Sequence, residues 1–392
     1  MSQHARAVRP RRALRAVGLT VVGVLVFGAA AAAAVYRELQ SNVSGVDLAG
    51  LVGDESARPQ ASEPPPGDAR AGAPVNLLII GSDDRSGENA TIGGAEEGMQ
   101  SDTTIVAHVA ADRSRVELVS IPRDLLADRP SCTMTDGSTT PARENVQFNG
   151  AFRIGWDHGH DIGSAAACTY KTVEQLTGVR LDGLVLVDFV GLRDMVNAIG
   201  GVPICLPTDL DDPKYTGLHV KAGPQVFDGT TAVQFARARH NIGDGSDTGR
   251  MERQQDLMAA MTRSVLSREV LTDPTALFQF AQAATGAITA SDGFRNLTDL
   301  TGFGLSLRNL TADQIVFVSM PTVPSTSQKY RVEATSEAVE LWARVAADQP
   351  IGGAATTTTP PVTDPSAPPP TTDAPWTPPA DVLTSADDSS TC

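Results

Sequence analysis

Between Ala16 and Tyr36 the chain carries no charged residue, in the run AVGLTVVGVLVFGAAAAAAVY. About 20 residues of helix span the hydrocarbon core of a bilayer, and this run has that length. Arg6, Arg9, Arg11, Arg12 and Arg15 precede it, and clustered basic residues stay on the cytoplasmic side. The pattern predicts a cytoplasmic basic segment over 1–15 and an anchor in the cytoplasmic membrane over 16–36. Everything after Arg37 is then extracytoplasmic. A cleaved signal peptide is the alternative, since the alanine-rich end offers small-residue cleavage sites, but an apolar signal region is usually about 7–15 residues. Either reading exports the rest of the chain.

The exported part is acidic. The first 37 residues hold six arginines and no carboxylate, so with a net charge of −15 overall the remainder carries −21. That excludes a general nucleic-acid binder, which needs positive surface to displace counterions. Any anion site must be a local concentration of arginine. Cys132, Cys168, Cys205 and Cys392 include no C-x-x-C pair, which argues against a zinc site, while export permits disulfides. Cys132 with Cys168 is the preferred pair because both fall in one loop-rich segment. The pairing of Cys205 stays open.

Residues 37–73, ending in GDESARPQASEPPPGDARAGA, read as a stalk and disordered linker, and 351–392 as a disordered Thr/Pro-rich tail. Such compositions bury too little apolar surface to fold. Between them lies one domain, 74–350. Within it, runs rich in β-branched residues predict strands over 75–82, 103–110, 115–122, 181–189, 202–206 and 314–321. Helical spacing predicts helices over 164–177, 190–200, 229–238, 249–270 and 334–347, with Gly178 stopping the first. This alternation predicts an α/β fold, an α/β/α sandwich around a central mixed sheet.

Charged residues fall where such a sheet binds ligands, outside the carboxyl ends of strands. The first strand ends in GSDDR, placing Asp83 and Arg85 there, and the third ends in SIPRD, placing Arg123 and Asp124 there. Asp102 immediately precedes the second strand. The stretch 236–255, ARARHNIGDGSDTGRMERQQ, adds four arginines. On the 249–270 helix, Arg250 and Gln254 continue the line of Leu257 and Met261 at steps of four, three and four, and Arg253 lies one turn from Arg250. A buried guanidinium needs an anion. An internal carboxylate such as Asp188 or Asp194 could supply it. Arg85, Arg123, Arg237, Arg239, Arg250 and Arg253 with Gln254 exceed the need of one carboxylate, and guanidinium forks match the oxygens of a diphosphate. Asp83 and Asp102 are the carboxylates expected to hold Mg2+, with Mn2+ as the second choice, on the same phosphates. Other chemistry lacks its motif. There is no P-loop and no H-E-x-x-H, and DGSDTG from Asp244 begins like a calcium loop but reaches Gln255 where glutamate is required.

The ordered set GSDDR, QSDTT, SIPRD, TYKTVEQLTG, DMVNAIGGV, FDGTTAVQFARARH and GRMERQQ resembles the LytR–CpsA–Psr family of cell-wall polymer ligases, from about Val75 to Val270. The resemblance implies a hydrophobic tunnel for a polyprenyl chain. It also implies transfer of a glycopolymer phosphate from a polyprenyl diphosphate carrier to peptidoglycan or a comparable cell-wall acceptor. Carried over by motif, Asp83 and Asp102 match the family's magnesium-associated aspartates, and Arg123, Arg237, Arg239, Arg250 and Gln254 match its diphosphate-binding set. Asp247 matches an acidic residue before the last arginine. Asp83, Asp102, Arg123 and Arg250 are then the expected catalytic residues. Gln100 stands where the family usually has arginine, which removes one phosphate contact. The same residues would also serve a hydrolase splitting the carrier with water, or a lipid-binding wall regulator without chemistry.

Overall fold

A computed structural model describes residues 10–60, 72–94, 99–240, 242, 245, 247–267, 273–352, 376–379 and 382–387. An eight-stranded mixed sheet forms its centre. In chain order the strands are β1 Ser44–Val46, β2 Val75–Ser82, β3 Ser101–Val109, β4 Val116–Ser120, β5 Gly183–Val187, β6 Ile288–Ser291, β7 Ile315–Ser319 and β8 Leu383–Thr384. Across the sheet they run β1-β6-β5-β2-β3-β4-β7-β8. β5 lies parallel to β2 and β7 parallel to β4, whereas β2, β3 and β4 form an antiparallel meander. The helices are α1 Pro10–Asn42, α2 Asn89–Gly93, α3 Gly150–Gly159, α4 Ile162–Thr177, α5 Phe189–Ala198, α6 Gly229–Arg237, α7 Asp247–Leu266, α8 Pro274–Ala287, α9 Leu297–Ser306 and α10 Ser336–Ala346. The predicted α/β/α sandwich is the observed architecture.

Period-two patterning of β2 separates the layers. Leu78 and Ile80 are fully buried in the main core with Phe152 of α3, Val173 of α4 and Leu341 of α10. Ile79 and Gly81 point the other way, beneath α5, α6 and α7. Local signals fix the helices of the first layer. Asp161 caps α4, its carboxylate accepting from the Ser164 amide at 2.8 Å, and Gly178 ends it in the left-handed region at φ 66°. α3 approaches α4 so closely that a Cβ on Gly155 would lie 2.4 Å from the Ser164 carbonyl oxygen. The expected Cys132–Cys168 disulfide is present, with Cα atoms 5.1 Å apart, and ties the loop after β4 to α4. Cys205 is disulfide-bonded too, its partner lying outside the described residues.

The boundaries of the domain differ from expectation at both ends. α1 contains a segment, Val22–Asn42, long and apolar enough to cross a membrane, but no loose stalk follows it. Leu39 is buried, and the Gln40 amide donates to Arg295 O at 2.9 Å and accepts from Leu297 N at 2.8 Å. Beyond it, β1 pairs with β6, and Val46, Leu48 and Leu51 enter the main core. Arg58 then reaches buried Glu174 at 2.7 Å. Residues 44–59 therefore belong to the domain. Their charged and Gly-rich composition hides a few apolar side chains that find a place on a preformed surface. Residues 61–71 of the expected linker lie outside the described residues. In the expected Thr/Pro arm, β8 adds an edge strand to β7, and Trp376 packs on the core beside Ile351; residues 353–375 lie outside the described residues. The predicted strand over 202–206 forms, but it pairs with Gly223–Phe227 in a separate ribbon rather than joining the sheet.

Candidate functional site

A cavity of about 240 Å³ lies between the second face of the sheet and α5, α6 and α7. Ile79, Gly81, Thr103 and Ile105 come from the sheet, and Phe189, Leu192, Met195, Val233, Leu257, Met258 and Met261 from the helices. Its polar lining is confined to Ser82, Asp102, Thr103, Asp188, Arg237, Arg250 and Gln254. The predicted line Arg250, Gln254, Leu257, Met261 thus faces the cavity as a single stripe of α7. Buried Gln255, on another face of the helix, donates to the Ser120 and Ser319 hydroxyls at 3.2 and 3.1 Å, holding α7 against the ends of β4 and β7.

Arg123, Arg250, Asp102 and Asp247 form one network. Arg123 donates to Asp102 at 2.6 Å. Arg250 donates to Asp247 at 2.6 Å and to the Asp102 carbonyl at 3.2 Å, and its other terminal nitrogen is 3.6 Å from Asp102 Oδ1. Arg123 Nε is 3.1 Å from Asp247 Oδ1, but the two are not aligned for a hydrogen bond. Asp83 accepts a bidentate pair from Arg85 at 2.9 and 2.8 Å. Arg237, the last residue of α6, donates to the Ile92 and Gly93 carbonyls at 3.0 and 3.3 Å, with its guanidinium 4.5 Å from the centre of the Phe189 ring.

Unequal burial and charge separate the carboxylates. Burial raises the Asp83 pKa, and the neighbouring Asp102 charge adds to that rise against the opposing pull of Arg85 and Arg237. Burial also works to raise Asp102, but Arg250, Arg123 and Arg237 together outweigh it and hold Asp102 below its ordinary value. Asp247 is raised by burial despite Arg250 and Arg123. Arg250 is lowered by burial, opposed by Asp247 and Asp102; guanidinium starts so high that it stays charged.

Of the predicted residues, Asp102, Arg237, Arg250 and Gln254 line the cavity, Arg123 is bonded to Asp102, and Asp83 with Arg85 stands within electrostatic reach of them. Arg239 and Arg253 do not line it. Ala238 is extended after the end of α6, as two inward arginines would require. Yet Arg239 Nε turns to the Gly245 carbonyl at 3.2 Å, and Arg253 donates to the Ala238 carbonyl. Gln254 donates to Ala236 O at 3.0 Å. The internal partner of Arg250 is Asp247 together with Asp102, not Asp188 or Asp194. Asp188 caps α5 and accepts from Asn89, while Asp194 pairs with Arg193. Gln100 is exposed and accepts from Asn149 at 3.4 Å. Asp247, which the family motif named but the apolar spacing of α7 did not, is a carboxylate that Arg250 pairs with. It lies in the helix's first turn, three residues before Arg250, a spacing that places both on one side of the helix.

Among the arginines of this motif cluster, the Nε groups of Arg123, Arg250 and Arg253 are buried and lack a hydrogen-bond partner among the described residues, as does Asp247 Oδ2; Arg115 and Arg129 show the same away from the site. A buried donor left unpaired costs about 1–3 kcal/mol. Arg250 lines the cavity and Arg123 is bonded to Asp102 of its lining, and such donors beside an apolar body are suited to a multi-oxygen anion carried on an apolar chain.

Comparison with known proteins places the family and the fold. The LytR_cpsA_psr family model matches residues 40–346. The cell wall biosynthesis protein LcpA of Corynebacterium glutamicum is 29% identical over 271 residues, 65% of this chain and 51% of the relative. The polyisoprenyl-teichoic acid–peptidoglycan teichoic acid transferase TagU of Enterococcus faecalis is 29% identical over 194 residues, 50% of this chain and 54% of the relative. The chain thus spans about half the length of the curated relatives it matches. In structure it shares its fold with a LytR-Csp2A-Psr enzyme from Actinomyces oris (TM-score 0.52, 21% identity, 78% of this chain and 96% of the other). TagV of B. subtilis is similar to the same degree (TM-score 0.51, 21% identity, 70% and 96%).

Proposed function

The chain belongs to the LytR–CpsA–Psr family, and from that premise we propose that it transfers a glycopolymer phosphate from a polyprenyl diphosphate carrier to peptidoglycan or a comparable cell-wall acceptor. The observation that carries this reading is the junction of an apolar cavity with the arginine–aspartate network. Leu192, Met195 and Met258 suit a polyprenyl chain, and Arg237, Arg250 and Gln254 of the same cavity suit its diphosphate. Relatives named as teichoic acid transferases support the reaction class. α1 holds the domain to the cytoplasmic membrane, and the basic residues before the apolar run orient it outward.

The acceptor hydroxyl attacks the sugar-linked phosphorus, and the bond from that phosphorus to the oxygen of the departing polyprenyl phosphate breaks. Arg123, Arg237, Arg250 and Gln254 stabilise the charge that develops on the phosphate oxygens, in a site shielded from water where such contacts are strong. Arg239 and Arg253, turned to local carbonyls, add positive charge from outside the cavity, and Arg85 holds Asp83. Asp102, held ionised by its arginines, fixes Arg123 and Arg250. The hydroxyl proton goes to Asp247 Oδ2, which is unpaired among the described residues, on a carboxylate whose raised pKa suits a general base better than that of Asp102.

Asp83 and Asp102 are the residues to hold Mg2+, or Mn2+ in its place. They are close enough for one charge to shift the other, and their oxygens keep lone pairs beyond their arginine bonds. One or two carboxylates completed by phosphate oxygens and water are the usual Mg2+ setting. Among the described residues no group of three or more His, Cys, Asp or Glu could form a closed cage. When bound, the ion neutralises phosphate charge.

The test uses full-length protein in liposomes with a radiolabelled polymer on its lipid carrier, with and without peptidoglycan sacculi. Label fixed covalently to the sacculi is the expected product. Equal release of free phosphorylated polymer in both conditions would instead identify a hydrolase.

A further inference from the structure

A second cleft, of about 540 Å³, lies on another side of α7, lined by Thr248 and Pro122, the sequence neighbours of Asp247 and Arg123. At about 100° per residue, Thr248 and Met251, which line this cleft, sit roughly 100–160° around α7 from the Arg250–Leu257 stripe of the first cavity. Asp247 falls between the two faces. The remaining walls come from Pro122, next to Arg123, from the turn after β7, from the start of α10, and from Thr377, Pro378 and Pro379. Among the described residues none lines both spaces. Asp102, Arg237 and Arg250 line the first space, and Asp247 and Arg123 adjoin in sequence the Thr248 and Pro122 that line the second, so the network stands beside both.

The two linings differ in chemistry. Among the described residues no lysine or arginine lines the second cleft, which sets it apart from the arginine-lined first cavity. It presents the hydroxyls of Thr248, Ser319, Thr322 and Thr377 among proline and methionine faces, with the carboxylate of Glu337. A few placed polar groups on an apolar wall are the usual lining of a ligand site, and hydroxyls that both donate and accept suit a neutral, polyhydroxylated ligand.

The segment forming the outer wall is anchored on both sides. The Trp376 indole donates to Ile351 O at 3.4 Å, with the Arg344 guanidinium 5.0 Å from its ring centre. On the other side, β8 pairs with β7, and Arg263 of α7 donates to Ser385 O at 3.1 Å and Asp387 O at 2.6 Å. Thr377–Pro379 is thus held as a strap across the cleft, from a part of the chain whose composition alone would leave it unfolded.

We propose that this cleft receives the sugar of the acceptor glycan, so that lipid donor and acceptor meet at Asp247 from opposite sides, and that the C-terminal strap is a wall of the acceptor site. The inference rests on the transferase reading given above.

Full-length protein in detergent micelles is titrated with two probes, geranylgeranyl diphosphate for the first cavity and a soluble muramyl tetrasaccharide for the cleft. Thr322→Trp, which fills the cleft, is expected to weaken tetrasaccharide binding at least tenfold and leave diphosphate affinity within about twofold. Trp376→Ala, which releases one anchor of the strap, is expected to weaken tetrasaccharide binding severalfold, again with diphosphate affinity unchanged. Retained diphosphate affinity reports that both variants are folded. Wild-type protein that binds the diphosphate but not the tetrasaccharide, or binds the tetrasaccharide equally well in both variants, overturns the cleft assignment alone. Wild-type protein that fails to bind the diphosphate overturns the transferase reading beneath it.

Discussion

Replacing Arg58 by alanine asks whether the segment after the membrane helix is part of the fold or a tether. Arg58 donates to Glu174 through two nitrogens, at 2.7 and 3.0 Å, and also to the Tyr170 hydroxyl at 2.9 Å and the Leu181 carbonyl at 2.8 Å. Glu174 is only 5% exposed, and after the substitution the Leu181 amide, 3.0 Å away, remains to it. Removing one partner of a buried pair costs about 3–5 kcal/mol, because the other charge is left behind. The surviving amide bond places Arg58→Ala near the lower end, about 3 kcal/mol. For a domain of this size each kcal/mol shifts Tm by about 2–4 °C, so thermal unfolding of the full-length protein, followed by circular dichroism, should show a loss of roughly 6–12 °C. Adding Glu174→Gln removes the stranded charge and should recover part of it, the coupling a double-mutant cycle detects. A Tm within about 1 °C of wild type would refute the reasoning and return residues 44–59 to the linker.

Other outcomes follow from the same structure. The Cys132–Cys168 bond closes a loop with a sequence separation of 36, so Cys132→Ala with Cys168→Ala should lose about 3–4 kcal/mol in denaturant unfolding under oxidising conditions; equal stability would contradict it. Asp102 is held below its ordinary pKa, so its contribution is present above the unfolded value of about 3.9 and is lost as pH falls through the lower folded value. The Tm gap between wild type and Asp102→Asn should be largest near neutrality and close below about pH 4; a gap independent of pH would contradict this. Asp247→Asn should slow transfer by about 100-fold or more while geranylgeranyl diphosphate affinity stays within about threefold; transfer at the wild-type rate would remove Asp247 as the base.

Much of this was legible in the residues. Alternating β-branched runs located β2 and the β3–β4 hairpin, and the Arg250–Gln254–Leu257–Met261 spacing located the cavity-facing stripe of α7, because period and burial are tied by geometry. Directions within the cluster were less legible. Arg239 and Arg253 share a motif with the cavity residues, but local carbonyls at Gly245 and Ala238 capture them. Asp247 carried a signal in its i, i+3 relation to Arg250. α8 carried one as well, since Asp273 before Pro274 is a helix start, with Asp273 accepting from the Thr275 amide. The docking of Leu48, Leu51 and Trp376 was hidden for another reason. Single apolar residues in polar segments have no period to reveal them, and only the finished surface shows where they fit.

The central claim is that the guanidinium of Arg250 stabilises the diphosphate during transfer. The most direct test compares Arg250→Ala, Arg250→Lys and Arg153→Ala in moving a radiolabelled polymer from its lipid carrier to peptidoglycan. Arg153 lies on α3 with only a surface contact to Asp157 at 3.4 Å. Losing one preorganised charged donor costs about 2–4 kcal/mol in the transition state, so Arg250→Ala should slow transfer roughly 30- to 900-fold. Arg250→Lys should recover little, because it lacks the planar fork, and Arg153→Ala should match wild type. Equal transfer rates for Arg250→Ala and Arg153→Ala, at equal Tm, would contradict the account and place the chemistry elsewhere.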